Sequence, residues 1–313
     1  MTDGARVLLV TGASSGIGRA TALQAARAGD HLVLVARGLG SLEEVAQECT
    51  ARGAASARVV TTDIGDDAAV GALVEQTMDW YGRIDAAVNA AGVVAYGRVQ
   101  DVPAEVFDGV VRTNLTGSVN LARHVVPVLR RQNSGSLILV GSVVGHIGVP
   151  SMSPYVLSKW GVRILARQLQ LENRDRTGVR IGYVAPGGVD TPIYAQAANY
   201  SGFAGRPPPP VASPERVAGQ ILSRIDHPGR RAQLTLTNDV IRFGYGVLPL
   251  VYDAIIAPFF RVGATDLTRP LSPRPGNVLE PQPGNALHGR QGNVLVGLAR
   301  NLMAVTRHER TPS

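Results

Sequence analysis

A tyrosine and a lysine four residues apart carry the clearest chemical signal in this chain. In the segment Tyr155–Lys159, helical geometry would place the phenol and the ammonium on one face. A free phenol titrates near pH 10, so acid–base work at neutrality requires a lower pKa. One cation about 4 Å away, at an effective dielectric of about 20, supplies an energy of the required order, about 4 kcal/mol. The spacing therefore predicts an acid–base tyrosine whose pKa is lowered by Lys159.

The use of lysine strengthens this prediction. Lys159 is the only lysine among 31 basic residues, and every other one is arginine. Arginine is bulky and always charged, whereas lysine is a compact donor on a flexible stem. A Tyr-x-x-x-Lys pair on its own is a weak pattern and is often a coincidence on a helix surface. The other motifs must therefore decide.

Length and composition indicate a globular protein, and its cysteine content favours a reducing compartment. The chain has 313 residues, 45% of them hydrophobic and 18% charged, which allows one large domain with additions or two small domains. The single cysteine, Cys49, permits no intramolecular disulfide and favours the cytoplasm. We expect no signal peptide, because no charged and apolar leader precedes the first strand. The net charge of +7 comes without a basic run, so nucleic-acid binding is not favoured.

A glycine-rich turn follows the first predicted strand, Arg6–Val10, and precedes a helix over Arg19–Ala28. In such a turn the free amides and the helix dipole face a phosphate, and the glycines let a pyrophosphate approach. In this strand–loop–helix context the spacing predicts a dinucleotide site, with an ordinary tight turn as the alternative. The turn consists of Thr11, Gly12, Ala13, Ser14, Ser15, Gly16, Ile17 and Gly18.

The second predicted strand, His31–Ala36, ends in Arg37. At this position of a dinucleotide fold, a carboxylate bonds to the adenosine 2′-hydroxyl, whereas an arginine accommodates a 2′-phosphate. Arg37, together with Ser14 or Ser15, therefore favours NADP(H) over NAD(H).

Strand-like and helix-like segments then alternate, which predicts an α/β fold with a Rossmann-type, doubly wound parallel sheet flanked by helices. Ligands of such sheets bind beyond the carboxyl ends of the strands. The further predicted strands are Ala57–Thr62, Ile84–Val88, Ser136–Val140 and Val179–Val184, and the helices are Ser41–Arg52, Asp67–Tyr81, Glu105–Arg131 and Tyr155–Asn173. The residues that follow strands, and so belong to the expected binding edge, are Asp63, Ile64, Asn89, Ala90, Gly92 and Ser142.

Three polar residues near this edge have alternative interpretations. Asp63 could accept a hydrogen bond from an adenine amine or simply cap a turn. Asn114 lies inside a predicted helix, where asparagine is a mediocre helix former, so either a bent helix with a functional amide or a plain kink is expected. Ser142 ends a strand thirteen residues before Tyr155, and its hydroxyl could donate to a substrate oxygen. After the last of these strands, the segment 185–192 is expected to close over the edge, where Thr191 could meet a phosphate.

Together, in order and spacing, these motifs resemble those of the classical short-chain dehydrogenase/reductase family, over roughly residues 5–235. The resemblance implies that Tyr155 is the general acid in reduction and the base in oxidation, and that Lys159 lowers its pKa and binds the nicotinamide ribose. It implies that Ser142 holds the substrate oxygen and that Asn114 anchors a water linking Lys159 to solvent. The resemblance implies a homo-oligomer and implies no metal. The implied cofactor-binding residues are Gly12, Ser14, Ser15, Gly16, Ile17, Gly18, Arg37, Asp63, Ile64, Asn89, Ala90, Gly92, Tyr155, Lys159, Pro186, Gly187, Val189 and Thr191.

The chain continues beyond the part that resembles the family. We expect a catalytic domain over residues 1–238, with a last strand at Arg231–Thr237, and an extension over 239–313. The segment Tyr194–Val211 is a mobile lid or a stiff spacer. Asp239–Phe260 has one wide apolar face, which could cover the substrate pocket, form a dimer contact or lie on a membrane surface. Residues 261–293 are expected to be irregular, and a final amphipathic helix is expected at Val294–Arg307.

The sequence therefore predicts an NADP(H)-dependent oxidoreductase that interconverts a carbonyl and an alcohol, on a lipophilic substrate. Two alternatives stay open: an NAD-dependent alcohol dehydrogenase of the same fold, and a dinucleotide-binding sensor or interaction protein without turnover. The intact set of Asn114, Ser142, Tyr155 and Lys159 favours turnover. A cytoplasmic protein is expected, with peripheral membrane contact through 239–260 as a less favoured possibility.

Overall fold

Parallel strands form the central sheet of this protein. The computed structural model describes residues 4–226, 236–282 and 286–289, together with 296, 297, 299–301 and 303, and within them six strands join in the order β3-β2-β1-β4-β6-β7. The strands are β1 (Val7–Thr11), β2 (His31–Ala36), β3 (Ser56–Thr61), β4 (Ala86–Asn89), β5 (Ala95–Tyr96), β6 (Gly135–Val140), β7 (Val179–Val184), β8 (Gly188–Val189), β9 (Ala198–Asn199), β10 (Phe203–Gly205), β11 (Val211–Ala212) and β12 (Thr265–Pro270).

Helices cover both faces of this sheet, as its apolar strands require. Successive residues of β1 point to opposite faces: Leu8 joins one buried cluster and Leu9 the other. The α/β, Rossmann-type prediction is confirmed. The helices are α1 (Gly16–Arg27), α2 (Leu39–Ala51), α3 (Asp67–Tyr81), α4 (Ala104–Val111), α5 (Gly117–Gln132), α6 (Ser153–Glu172), α7 (Ile193–Gln196), α8 (Pro214–Asp226), α9 (Leu236–Val247) and α10 (Pro249–Gly263).

The strand order reverses at β1, because β1 pairs with β2 on one side and with β4 on the other. Such a reversal opens a crevice at the carboxyl ends of the strands, where ligands of doubly wound sheets bind. The glycine turn after β1 lies at this crevice.

The helix predicted at Glu105–Arg131 is interrupted by a π-helix. The π-helix, Arg112–Thr116, joins α4 to α5 and contains Asn114. Widened turns of this kind are rare and frequently lie at functional sites. The regular α-helix is therefore interrupted at Asn114, the position where a bend or a kink was expected.

The extension differs from the prediction in two places. Residues 261–293 were expected to be irregular, yet 261–263 complete α10 and are followed by β12, which pairs antiparallel with β10. The predicted strand Arg231–Thr237 is wrong at its end, because residues 236 and 237 already belong to α9; 231–235 lie outside the described residues. The expected domain boundary at residue 238 also falls inside α9. Of the predicted helix Val294–Arg307, residues 296, 297, 299–301 and 303 are described and helical.

Short pairings fix the segment Tyr194–Val211, for which a lid or a spacer was expected. Its strands β9, β10 and β11 pair with β5, β12 and β8. Among the described residues, no helix is long and apolar enough to cross a membrane.

Candidate active site

Tyr155 and Lys159 share one face of α6, as their spacing predicts. The helix begins at Ser153, with Pro154 in its first turn, a position where proline's missing N–H costs nothing. The Lys159 ammonium lies 5.6 Å from the centre of the Tyr155 ring. The two groups that could exchange and stabilise a proton are therefore neighbours.

Lys159 is buried, with 5% of its surface exposed. Its Nζ donates a hydrogen bond of 2.9 Å to the carbonyl oxygen of Val140, at the end of β6. Burial disfavours the charged form and lowers the pKa of Lys159 to about 8. A buried ammonium with donor capacity left is suited to holding an oxygen-rich ligand.

The pKa of Tyr155 departs from the prediction made from the sequence. Burial raises it to about 12, and a hydrogen bond with Ser142 opposes that rise. The expected lowering by Lys159 is not found in the protein alone, because the cost of desolvating the phenolate determines the direction of the pKa shift. Tyr155 is therefore protonated at neutral pH, the state a general acid needs.

Ser142 lies beside Tyr155 because the chain turns sharply at the end of β6. The serine caps a short 3₁₀ helix, Val143–Gly145, and its Oγ accepts a hydrogen bond of 3.3 Å from the amide of Val144. The backbone amide of Val143 in turn donates to the carbonyl oxygen of Pro186. These contacts fix the hydroxyl at the sheet edge.

Asn114 holds the π-helix against two neighbouring segments. Its Oδ1 accepts from the amide of Val93, and its Nδ2 donates to the carbonyl oxygen of Val93, both at 2.9 Å. Nδ2 also donates to Ser158 Oγ at 3.0 Å. Three of the amide's four possible hydrogen bonds are thus made within the protein, and the one to Ser158 connects Asn114 to α6.

The glycine turn after β1 has the close approaches that a dinucleotide site needs. Gly12 has φ +64°, and a Cβ there would lie 2.7 Å from the backbone nitrogen of Ala91; a Cβ on Gly18 would lie 2.2 Å from the carbonyl oxygen of Gly12. Any side chain at either position would fill or distort the cradle. These residues therefore fit a dinucleotide pyrophosphate.

The turn lines a cavity of about 150 Å³ at the switch point of the sheet. Eleven of the predicted cofactor-binding residues lie on its wall, Tyr155 and Gly187 line a second cavity instead, and Gly18, Asn89, Lys159, Pro186 and Val189 line neither. The predicted residues on the wall are Gly12, Ser14, Ser15, Gly16, Ile17, Arg37, Asp63, Ile64, Ala90, Gly92 and Thr191.

Arg37 extends along this cavity but has partners that the sequence did not reveal. Its Nη1 donates to the carbonyl oxygen of Val278 at 3.0 Å, and its Nη2 to that of Asn277 at 2.5 Å. Burial lowers the pKa of its guanidinium. Residues 240 positions away in the chain therefore form part of the cavity.

Asp63 and Asn89 both have partners within the protein. Asp63 accepts from the Gly65 amide and from the Arg112 guanidinium, at 2.9 and 2.8 Å. Asn89 accepts from Thr11 Oγ1 at 2.6 Å and donates to Ser118 Oγ at 2.8 Å. The buried Asn89 thus ties β1 and β4 to α5, a supporting position.

The segment after β7 separates two cavities. Val189 is buried in the core as part of β8, and Gly187 faces a second cavity. Thr191 faces Gly16 across the first cavity, so that a Cβ on Gly16 would lie 3.1 Å from the Thr191 Cβ. The segment closes the sheet edge as predicted.

The second cavity, of about 470 Å³, is apolar and has Tyr155 and Ser142 on its wall. One of the three alternatives for Asp239–Phe260 was that its apolar face covers a pocket. It covers this cavity, because the inner faces of α9 and α10 form the roof. Sequence reasoning did not single out the remaining walls, since apolar residues there give no local motif. They include Val94, Tyr96, Ile147, Val149 and Met152, whereas the roof includes Ile241, Tyr252, Ile256 and Phe260.

Known proteins are similar to this chain in sequence and in fold. Sepiapterin reductase from Chlorobaculum tepidum is 39% identical over 197 residues, which cover 61% of this chain and 80% of that protein. Levodione reductase from Leifsonia aquatica is 38% identical over 191 residues, covering 60% and 71%. The solved structure of an alcohol dehydrogenase from the archaeon Thermococcus sibiricus, complexed with 5-hydroxy-NADP, superposes with a TM-score of 0.63 at 27% identity, covering 73% of this chain and 94% of that one.

A second solved structure, NAD⁺-bound xylitol dehydrogenase, superposes with a TM-score of 0.57 at 31% identity and covers 59% and 70%. The family profile described as short chain dehydrogenase matches residues 6–200, which include the glycine turn, Ser142, Tyr155 and Lys159. With the fold, the paired cavities and this match in agreement, the chain belongs to the short-chain dehydrogenase family of oxidoreductases.

Proposed function

We propose that this protein is an NADP(H)-dependent oxidoreductase that interconverts a carbonyl and an alcohol on a lipophilic substrate. The observation that carries the proposal is the position of Tyr155 and Ser142 on the wall of an apolar cavity of about 470 Å³, within the usual range of roughly 300–1,000 Å³ for ligand pockets. Gly92 lines the first cavity, and a Cβ there would lie 3.7 Å from Lys159 Nζ, so the ammonium lies beside the dinucleotide cavity.

Each polar residue has a role that its position supports. The bound dinucleotide supplies the hydride in reduction and accepts it in oxidation. Tyr155, protonated at neutral pH because its pKa is raised to about 12, donates its proton to the oxygen that becomes the alcohol. Ser142 orients that oxygen, and the positive charge of Lys159 favours the phenolate that remains.

Arg37 supports NADP(H) as the cofactor. It lines the dinucleotide cavity at the end of β2, the position where a carboxylate would favour NAD(H). One structural neighbour holds 5-hydroxy-NADP and another holds NAD⁺, so the family alone does not select between the two. The choice rests on this side chain.

The walls of the second cavity support a lipophilic substrate. Aromatic and aliphatic side chains from α10, among them Tyr252, Ile256 and Phe260, face Tyr155 across the cavity. An apolar ligand would gain roughly 25 cal/mol for each Å² it buries there.

We also propose a homo-oligomer in the cytoplasm. The outer face of α6 exposes Leu157, Ile164 and Leu171, an apolar row that fits a subunit contact, and the buried Cys49 thiol fits a reducing compartment. Analytical ultracentrifugation of the full chain tests the oligomer, and a monomer at micromolar concentration would contradict it.

The activity is tested by following NADPH absorbance at 340 nm with a panel of steroid, retinal, long-chain and small aromatic carbonyls. We expect oxidation of NADPH with the apolar carbonyls and a higher KM for the small ones. Tight NADPH binding without turnover of any carbonyl would instead favour the sensor alternative.

A further inference from the structure

A strap from the C-terminal extension lies across the dinucleotide cavity. We define the strap as the described residues 277–282 and 286–289. Asn277, Pro281 and Gln282 line the cavity opposite the glycine turn. The extension therefore reaches the cofactor side of the sheet as well as the substrate side, where α9 and α10 lie.

The first strap contact engages Arg37. The carbonyl oxygens of Asn277 and Val278 accept hydrogen bonds from its two terminal nitrogens, at 2.5 and 3.0 Å. These oxygens carry partial negative charge in the place where the oxygens of a 2′-phosphate would bind. The carbonyl pair takes one N–H from each terminal nitrogen, and a 2′-phosphate that approaches Arg37 along these N–H directions would meet the two carbonyl oxygens.

The second strap contact engages the glycine turn. The carbonyl oxygen of Ala286 accepts a hydrogen bond of 3.1 Å from the amide of Gly16, the first residue of α1. A free amide at this helix N-terminus is what a pyrophosphate would bind. The strap thus presents one oxygen to the pyrophosphate position and two to the 2′-phosphate position.

Separate anchors hold the two contacts in place. At the first, Val278 is 3% exposed in an apolar cluster with Val106 and Val110, and the amide of Asn277 donates to the carbonyl oxygen of Gln196 at 2.8 Å. At the second, His288 lies between two carboxylates: its Nε2 is 2.8 Å from Glu215 Oε1, and its Nδ1 is 3.6 Å from Asp190 Oδ2.

The size of the cavity agrees with competition. With the strap in place it measures about 150 Å³, well below the roughly 300–1,000 Å³ of ordinary ligand pockets. A dinucleotide is larger than a typical drug-sized ligand, so a strap that narrows this cavity restricts the space for one.

We propose that the strap is a built-in competitor of the dinucleotide, in which the carbonyls of Asn277 and Val278 occupy the 2′-phosphate position and that of Ala286 the pyrophosphate position. This inference rests on the proposed function. The first contact opposes NADP(H) specifically, because NAD(H) has no 2′-phosphate to place on Arg37. The second contact opposes both dinucleotides equally. The strap therefore sets how strongly this protein discriminates between them.

The test measures dissociation constants for NADPH and NADH by nucleotide fluorescence in the full chain. Gly276→Ala releases the first contact, since Gly276 has φ +57° and its Cβ would lie 2.3 Å from the carbonyl oxygen of Gln196. We expect NADPH to bind roughly tenfold more tightly, the change that the loss of about one charged hydrogen bond allows, and NADH less than twofold. Val278→Ala loosens the same anchor without backbone strain and is expected to act in the same direction.

Two further proteins complete the design. Leu279→Ala is the matched control, because Leu279 is the next strap residue and is 44% exposed; both constants are expected to stay unchanged. His288→Ala weakens the second anchor and is expected to lower the dissociation constants of both dinucleotides by the same factor. Hydrogen exchange at Asn277 and Val278 in the unmodified protein is expected to speed up with NADPH and not with NADH.

Weaker NADPH binding after Gly276→Ala and Val278→Ala, or slower exchange of the strap with NADPH, would overturn the proposal and make the strap a wall that retains the cofactor. Unchanged constants in all the variants would also overturn it while leaving the dinucleotide function intact. If neither the variants nor the unmodified protein bound either dinucleotide, the proposed function itself would fail, and the strap proposal with it.

Discussion

Asn114 and Ser158 are joined by a hydrogen bond of 3.0 Å, from Nδ2 of the asparagine to Oγ of the serine. Ser158 Oγ in turn donates to the carbonyl oxygen of Tyr155 at 2.8 Å. The π-helix between α4 and α5 is therefore connected directly to the turn of α6 that carries the tyrosine. This connection makes Asn114 a positioning residue for Tyr155, whatever further role it has towards solvent.

Replacing Asn114 with alanine removes three buried hydrogen bonds and leaves both polar groups of Val93 without this partner. We expect a loss of about 2–3 kcal/mol in the free energy of unfolding and at least a tenfold lower kcat with little change in KM. Ser158→Ala, which removes a single link, is expected to cost about 1 kcal/mol. Urea unfolding and steady-state kinetics measure both. Equal effects of the two variants would contradict the arrangement described above.

Arg37→Asp is expected to reverse the cofactor preference, because a carboxylate repels the 2′-phosphate and accepts a hydrogen bond from a 2′-hydroxyl. The ratio of kcat/KM for NADPH to that for NADH should fall by at least a factor of roughly 10², about 2.7 kcal/mol. Arg27→Asp makes the same charge change at an exposed position in the last turn of α1 and should leave the ratio unchanged. An unaltered ratio in Arg37→Asp would remove Arg37 from cofactor selection.

Ile256→Asn places a polar group in the wall of the apolar cavity. We expect KM for lipophilic carbonyls to rise roughly tenfold or more, since burying one aliphatic side chain contributes about 1.5–3 kcal/mol. The matched control is Leu250→Asn on the same helix, where the side chain is 85% exposed, and its KM should stay near that of the unmodified protein. Equal changes in the two variants would separate α10 from substrate binding.

The titration of His146 is expected to make the stability of the protein depend on pH. Burial, reinforced by Arg163 and Arg242, lowers its pKa from 6.5 to about 4. Between these two values the unfolded chain binds a proton that the folded protein does not, so stability decreases as the pH falls from 6.5 towards 4. His146→Asn should remove about 1 kcal/mol of that decrease, a figure reduced for solvent screening because the ring is only half buried. Urea unfolding at pH 7 and pH 5 provides the comparison, and parallel pH profiles of the two proteins would contradict the assignment.

Much of the site was predictable because its signals are local. The spacing of Tyr155 and Lys159 fixes a shared helix face, and the glycine turn fixes the sheet edge where the cavity lies. The contacts of Arg37 were not predictable, since carbonyl oxygens at 277 and 278 carry no side-chain signature. The same limit explains β12: proline and glycine nearby indicate turns, whereas its pairing with β10 depends on a segment 60 residues earlier. The pKa of Tyr155 could not be predicted from spacing either, because burial determines its direction.

The most direct test of Tyr155 as the general acid compares Tyr155→Phe with the unmodified protein in the same NADPH titration and the same carbonyl assay. We predict an unchanged dissociation constant for NADPH and a kcat lower by a factor of roughly 10²–10⁴, the usual contribution of a positioned acid. Turnover close to normal in Tyr155→Phe would contradict the role of Tyr155 as the general acid, because the proton would then have to come from another group.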